Sequence, residues 1–243
     1  MEEKTNGFTD VEILQGLGYA SIEQGDTLMG TLSAMPKDRR KAAFAQIQKT
    51  SFGSANKSVR DLVIERMSLL PTPIANGLAQ KSLQIVETEL VSVKYITNKG
   101  DLKFFEDADK IKSGETNVNG GMLKKDEWFL LCAIQYQEGV GASSTDATTA
   151  IFGAAFANGS NGDFDLQANN NKYLLPERSP LGMFSDISAQ GGWKNKANTV
   201  GLDNPKWIEP GVKFGVTARY GTANATANLH ARFKLIGASI ISL

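Results

Sequence analysis

The chain has 243 residues, of which 41% are hydrophobic and 21% are charged, and these proportions are typical of a globular protein and exclude a disordered one. Its 26 basic and 26 acidic residues give a formal net charge of zero, which argues against nucleic-acid binding over the whole surface. No apolar run is long enough to cross a bilayer, and the acidic N-terminus is unlike a secretory signal, so we expect synthesis in the cytoplasm.

Residues 8–82 have a helical pattern. The first predicted helix contains several glycines, each of which lowers helix stability by about 1 kcal/mol relative to alanine, so we expect it to be broken or to need a partner. A second helix is predicted to begin near Pro36, and a third covers 58–70, where apolar residues recur at helical spacing. Pro71 and Pro73 are predicted to end that third helix.

Charge is unevenly distributed in this part of the chain. Residues 1–34 carry six acidic side chains and one lysine, whereas residues 35–82 carry nine basic side chains and three acidic ones. Such basic side chains neutralise phosphates, but a short cluster is also typical of a solvated helix face or of a partner for the acidic segment of a neighbouring chain. The candidates for contact with nucleic acid or with another subunit are Lys37, Arg39, Arg40, Lys41, Arg60 and Arg66.

From Leu83 onward the hydrophobic period changes to two, which predicts strands. The central strand is apolar enough to be buried on both faces. The run from Pro205 to Leu243 predicts two long strands, which we interpret as a hairpin that closes an antiparallel sandwich. The other strands are predicted over 83–96, 102–105, 127–137, 147–156, 164–168 and 172–176, with a polar loop over 185–204.

This count of roughly eight strands favours a mainly β fold, an antiparallel eight-stranded jelly-roll sandwich preceded by a helical arm. No helices alternate with the strands, which excludes a parallel βαβ sheet. We therefore divide the chain into a helical N-terminal arm over 1–82 and a single jelly-roll β-sandwich over 83–243.

No constellation of residues indicates catalysis or metal binding, so we expect neither an enzyme nor a cofactor. The single histidine, His230, alternates with basic residues and is predicted to lie on the polar face of a surface strand. Asp163 and Asp165 share a strand face, a spacing that fits glycosidase carboxylates but is more typical of a solvated face or of half an ion pair between subunits. Cys132 lies in an apolar run and is predicted to be a small buried core residue.

Six short phrases within residues 78–243 carry a resemblance to a known family. They are Leu83–Val86, Lys124–Phe129, Asp163–Asn169, Tyr173–Pro176, Pro180–Phe184 and Pro205–Gly211. In these phrases the chain resembles the jelly-roll capsid proteins of small tailless bacteriophages, in particular those with single-stranded DNA. Several such phages have capsid proteins with two jelly rolls, whereas this chain has room for one, so the resemblance points to a single-jelly-roll shell or a vertex subunit.

The resemblance implies a structural subunit of an icosahedral virus capsid that self-assembles through its jelly-roll edges and helical arm to enclose the genome. We expect its location to be the virion, after synthesis in the host cytoplasm. The expected partners are copies of the chain, other virion proteins and packaged nucleic acid through the basic arm. Near-zero net charge agrees with this role because it lowers repulsion among many copies.

Two tryptophans support an alternative function, a receptor- or carbohydrate-binding β-sandwich module of a phage spike. Trp193 lies in the glycine-rich part of the polar loop, and Trp207 follows that loop. An aromatic side chain on a loop is suited to ligand contact, but it equally covers its own sandwich. In this alternative the arm would be a stalk or an anchor, and its lack of sustained heptads counts against a coiled-coil stalk.

Overall fold

The computed structural model describes residues 59–96, 101–153, 161–169, 171–184, 198–221 and 226–243. The chain divides into two compact units. Unit 1 comprises Met1–Val86 and Ile240–Leu243, and unit 2 comprises Glu87–Ser239. The first two predicted helices of the arm lie outside the described residues.

The described helices of unit 1 are α1 (Val59–Arg66) and α2 (Thr72–Ala79), separated by a 3-10 turn at Met67–Leu69. Leu70 is extended, as expected of a residue before a proline, so the predicted third helix ends there. The prolines that end this helix also begin α2, which the sequence analysis did not identify as a separate helix. A proline is compatible with the first turn of a helix because its missing N–H has no partner there.

The described residues contain ten strands. They are β1 (Leu83–Tyr95), β2 (Asp101–Phe104), β3 (Trp128–Val140), β4 (Ile151–Phe152), β5 (Asp163–Ala168), β6 (Lys172–Tyr173), β7 (Ser179–Pro180), β8 (Thr199–Ile208), β9 (Gly215–Arg219) and β10 (Leu229–Ser242).

These strands form two antiparallel sheets, so the protein is mainly β. The first sheet has the order β1–β10–β3–β4, with β8 also paired to β3. The second sheet has the order β2–β9–β5–β6, with β7 also paired to β5. In the second sheet the register is uninterrupted, and Arg219 of β9 lies opposite Asp101 on one side and Asp163 on the other.

Aromatic side chains from both sheets form the centre of the hydrophobic core. The ring of Phe233 on β10 lies 4.8 Å from that of Phe104 on β2 and 5.5 Å from that of Phe164 on β5, measured between centroids. Tyr136 on β3 lies 4.9 Å from Phe233. Such edge and tilted ring contacts stabilise a core beyond their buried area, and here they join the two sheets.

The central strand is confirmed, and it extends three residues further than predicted. Leu131 and Cys132 are adjacent on β3, so their side chains point to opposite faces, and both are fully buried. The prediction of a strand buried on both faces is therefore correct, as is the assignment of Cys132 to a buried position.

The predicted closing hairpin is wrong. The strand β9 belongs to the second sheet and β10 to the first, so the connection between them crosses from one sheet to the other. Alternation shows that both segments are extended but does not show which strands they pair with.

Two other segments differ from their predictions. The predicted strand over 147–156 begins instead with a 3-10 turn, Ala147–Thr149, because the Asp146 side chain accepts a hydrogen bond from the Thr148 N–H at 3.0 Å. The predicted loop over 185–204 ends early, since β8 begins at Thr199 and pairs with Gln135 of β3. Tertiary pairing therefore overrides the weak strand propensity of this polar segment.

Candidate functional site

Most of the residues selected from the sequence lie outside the part of the chain that the structure describes. These are Lys37, Arg39, Arg40, Lys41 and Trp193. The backbone of Arg60 lies in the first turn of α1, and Arg66 is the last residue of that helix, where its side chain is half-buried. A basic side chain at a helix C-terminus interacts favourably with the helix dipole, which gives Arg66 a structural role.

Trp207 is described, and its surroundings are those of a packed residue. It lies on β8 opposite Leu130 of β3, and it is only 9% exposed. Its ring meets that of Trp128 edge-on, with the centroids 6.4 Å apart. Its backbone carbonyl accepts a hydrogen bond from the Asn169 side chain at 2.8 Å. Little of its surface is therefore available to a ligand.

The prediction that His230 lies on an exposed face is wrong, because the side chain is 1% exposed. Its Nε2 donates a hydrogen bond to the carbonyl oxygen of Ser143 at 3.0 Å, and its ring packs edge-on against Tyr95 at 5.6 Å. The segment that begins at Gly141 passes directly over the ring, since a Cβ at that glycine would lie 3.2 Å from it. The histidine therefore anchors a loop on the sheet.

A cluster of charges lies on the outer face of the second sheet. The guanidinium of Arg219 donates hydrogen bonds to Asp163 at 3.0 Å and to Asp165 at 2.6 Å, and it lies 3.7 Å from Asp101. Arg178 adds its side chain, bonded to Asp163 at 2.9 Å, and its backbone N–H, bonded to Asp165 at 2.7 Å. The two aspartates therefore form ion pairs within the chain, not the half of an intersubunit pair that the sequence suggested.

These contacts keep the cluster ionised. Burial raises the pKa of Asp163, but hydrogen bonds from Arg178 and Arg219 outweigh it, so the pKa lies below its ordinary value. The pKa of Asp165 is lowered in the same way, against burial, by the side chain of Arg219 and the backbone N–H of Arg178. The pKa of Arg219 is raised by its bonds to both carboxylates. The cluster is a rigid, nearly balanced set of charges.

An open groove of about 400 Å³ lies beside this cluster on the same outer face, and we call it the β9 groove. Inward residues of β2, β5 and β9 belong to the hydrophobic core, so alternate residues face outward. One outward row consists of Lys103, Thr217 and Asp165, and the next contains Gly215 and Gln167. Together with Asn171, these residues line the groove.

An apolar pair lies at the far end of the first sheet. Val140 of β3 and Ile151 of β4 are directly opposite each other, and they are 51% and 84% exposed. Within the described residues, β4 is the last strand at this end of the sheet. Exposed branched aliphatic side chains on an edge strand are typical of a surface that is covered on association.

The buried side chains of Tyr136, Tyr220 and Glu138 form a network in which the Tyr136 hydroxyl lies between the other two groups. The hydroxyl of Tyr136 donates a hydrogen bond to Glu138 at 2.6 Å and lies 3.1 Å from the hydroxyl of Tyr220. Burial raises the pKa of both tyrosines above the ordinary value, and the nearby Glu138 adds to the effect. All three residues are buried, so this network fixes the packing of the core and is not accessible to a substrate.

Sequence reasoning did not identify the β9 groove or the role of Arg219. The clue was the alternation of β5 and β9, which places polar residues on one face of each strand. Arg219 and Asp163 are 56 positions apart, however, and only the register of the sheet shows that they are neighbours.

Comparison with known proteins gives no relative for this chain: no family model, curated protein or solved structure matches it. Among the described residues, no group of three or more His, Cys, Asp and Glu side chains is placed to hold a metal ion. No helix in the described ranges is long and apolar enough to cross a membrane.

Proposed function

We propose that the β-sandwich is a jelly roll and that the chain is a structural subunit of an icosahedral virus capsid that encloses its genome. The order of the strands is the observation that carries this proposal. With β4 set aside and β6 and β7 counted together, the described residues form eight principal strands. The first pairs with the last, the second with the seventh, the third with the sixth and the fourth with the fifth.

This nested pairing is what results when one long antiparallel hairpin is rolled into a sandwich. Successive nested pairs then alternate between the two sheets, as the pairs β1–β10 and β3–β8 and the pairs β2–β9 and β5–β6 do here. The jelly roll is a common fold of capsid subunits, but it also occurs in lectins and cupins, so fold alone does not decide the function.

Two further features favour a subunit that assembles. The exposed pair Val140 and Ile151 offers an apolar contact at the end of a sheet. The separation of charge in the sequence, acidic over 1–34 and basic over 35–82, permits pairing between chains or contact with phosphates. The short phrases in which the chain resembles tailless-phage capsid proteins favour the same role.

The direct test is negative-stain electron microscopy of the purified full chain, with the mass of the same sample measured by light scattering. We expect shells, curved sheets or closed rings. A monodisperse monomer or a lone trimer at high protein concentration would contradict the proposal and would favour a binding module.

The contribution of the arm is tested by charge reversal in the full chain. Replacing Arg39, Arg40 and Lys41 with glutamate should lower the yield of particles or their nucleic-acid content. The matched control replaces Lys124 and Lys125 with glutamate, since these two lysines are exposed on the β-sandwich. Equal particle yield and nucleic-acid content in the wild type and in the arm variant would remove the arm from the proposal.

A further inference from the structure

We propose that the β9 groove is a binding site for a neutral oligosaccharide. The proposal rests on the space above Gly215, on the polar side chains around it that lack partners, and on an exposed aromatic ring beside them. It does not depend on the capsid proposal, because the groove is formed within a single copy of the chain.

Gly215 forms the floor of the groove, and the fold does not require glycine there. The ladder from β9 to β5 passes through this position without a bulge, and Gly215 is not among the residues with positive φ. A Cβ at Gly215 would have its nearest contact at 3.4 Å, the carbonyl oxygen of Phe104, which is an ordinary distance. Glycine inside a strand weakens it and often marks a place where a ligand approaches the backbone.

Four polar side chains around this floor are available to a ligand. Within the described residues, no hydrogen bond or ion pair is formed by the side chains of Lys103, Gln167, Asn171 or Thr217. The carboxamides of Gln167 and Asn171 and the hydroxyl of Thr217 each donate and accept hydrogen bonds. The ammonium group of Lys103 donates them. A ligand with many hydroxyl groups, each both donor and acceptor, matches this set.

The charges nearby are largely compensated inside the protein, which favours a neutral ligand. Lys213 at the rim is paired with Asp107, and Asp165 is held by Arg219. Lys103 is the one groove-lining cation without a partner among the described residues. Since the adjoining Arg219 cluster has one more acidic than basic group, this lysine leaves the surroundings close to neutral.

An aromatic ring lies next to the groove-lining residue Gln167. Tyr173 of β6 lies directly opposite Gln167 of β5, so both side chains point to the outer face. The tyrosine is 45% exposed, and its hydroxyl donates to Glu177 at 3.3 Å, which orients the ring. A half-exposed aromatic ring beside convergent polar groups is the usual composition of a site that stacks on a sugar and hydrogen-bonds its hydroxyls.

The groove is also preorganised, because three of its four unpartnered polar side chains, Lys103, Gln167 and Thr217, stand on paired strands, and Asn171 lies in the turn directly before β6. The Arg219 cluster joins β2, β9 and β5 at one end of the face. A site held on rigid strands loses less entropy when its ligand binds.

The test is saturation-transfer NMR and titration calorimetry of the full chain. The probes are neutral oligosaccharides of glucose, mannose, galactose and N-acetylglucosamine at millimolar concentration, with oligogalacturonate as an acidic comparison. We expect at least one neutral probe to bind, with an affinity that changes little between low and high salt. Binding of the acidic probe alone, or of no probe, would overturn the proposal.

Two variants locate the site. Gly215→Leu should abolish binding by filling the groove, whereas Gly153→Leu is the matched control, since a Cβ there meets no atom within 4 Å. Gln167→Ala should lower the affinity about tenfold by removing hydrogen bonds to the ligand without adding bulk. Unchanged affinity in both groove variants would show that the sugar binds elsewhere and would overturn the proposal. Since oligosaccharide binding and shell formation are measured separately on the full chain, a failure of one is distinguishable from a failure of the other.

Discussion

Replacing Arg219 with methionine should cost the β-sandwich about 2 to 3 kcal/mol of its free energy of unfolding. The change keeps the length and the apolar stem of the side chain but removes the guanidinium from Asp163 and Asp165. The Asp165 carboxylate is only 5% exposed, so it cannot recover its lost bond from water. We place the cost below that of a fully buried pair because 31% of the Arg219 side chain is accessible to solvent.

The assay is urea unfolding at neutral pH, followed by circular dichroism. A control, Lys213→Met, breaks the exposed pair with Asp107 and should change stability by no more than about 0.5 kcal/mol. Combining Arg219→Met with Asp165→Asn should cost less than the sum of the two single changes, because the asparagine leaves no buried charge. If the costs of the two single changes simply add, the contact between Arg219 and Asp165 contributes no coupling energy to stability.

The pH dependence gives a second check with a definite sign. The pKa values of Asp163 and Asp165 are lowered in the folded chain, so their stabilisation is present above the unfolded pKa of about 3.9 and is lost as pH falls further. The difference in stability between the wild type and Arg219→Met should therefore shrink below about pH 4. A difference that stays constant down to the acid transition would refute the assignment of the stabilisation to these ion pairs.

Two other predictions concern the core. Gly237→Ala should destabilise the sandwich by about 3 kcal/mol or more, because the new Cβ would lie 1.8 Å from the carbonyl oxygen of Leu130. The control Gly153→Ala, which has open space around it, should leave stability unchanged. Equal melting temperatures of the two variants would contradict the packing of these strands. Burial, assisted by the nearby Glu87, raises the pKa of the Cys132 thiol to about 12, so the native chain should resist iodoacetamide at pH 8 and react only in denaturant. Rapid alkylation of the folded chain would show that this position is accessible.

The strands that sequence analysis predicted well are those whose pattern reflects burial directly. The run through Leu131 and Cys132 is apolar at every position, and such a run is stable only where both faces of a sheet are covered. The strand that contains Asp163 alternates between polar and apolar residues, which indicated one core face and one outer face.

The failures have a different physical origin. The alternation around His230 correctly assigned it to the face opposite Leu229 and Ala231, but alternation does not show whether a loop covers that face. Similarly, the extended character of β9 and β10 was correct, but their assignment to different sheets depends on pairing with strands far away in the sequence. Long-range register, not local propensity, decides both questions.

The two proposed activities, assembly and oligosaccharide binding, involve residues that strand pairing assigns to different sheets of the sandwich. The exposed pair Val140 and Ile151 belongs to the first sheet, whereas Gly215 and Gln167 belong to the second, and the core lies between the two sheets. Because the two sets stand on strands of different sheets that do not pair with each other, a substitution in one set should leave the packing of the other unchanged. Ile151→Lys should therefore impair assembly while leaving oligosaccharide affinity unchanged, and Gly215→Leu should do the reverse. Loss of both activities in Ile151→Lys, with the fold intact, would mean that the groove is completed only in the assembled shell.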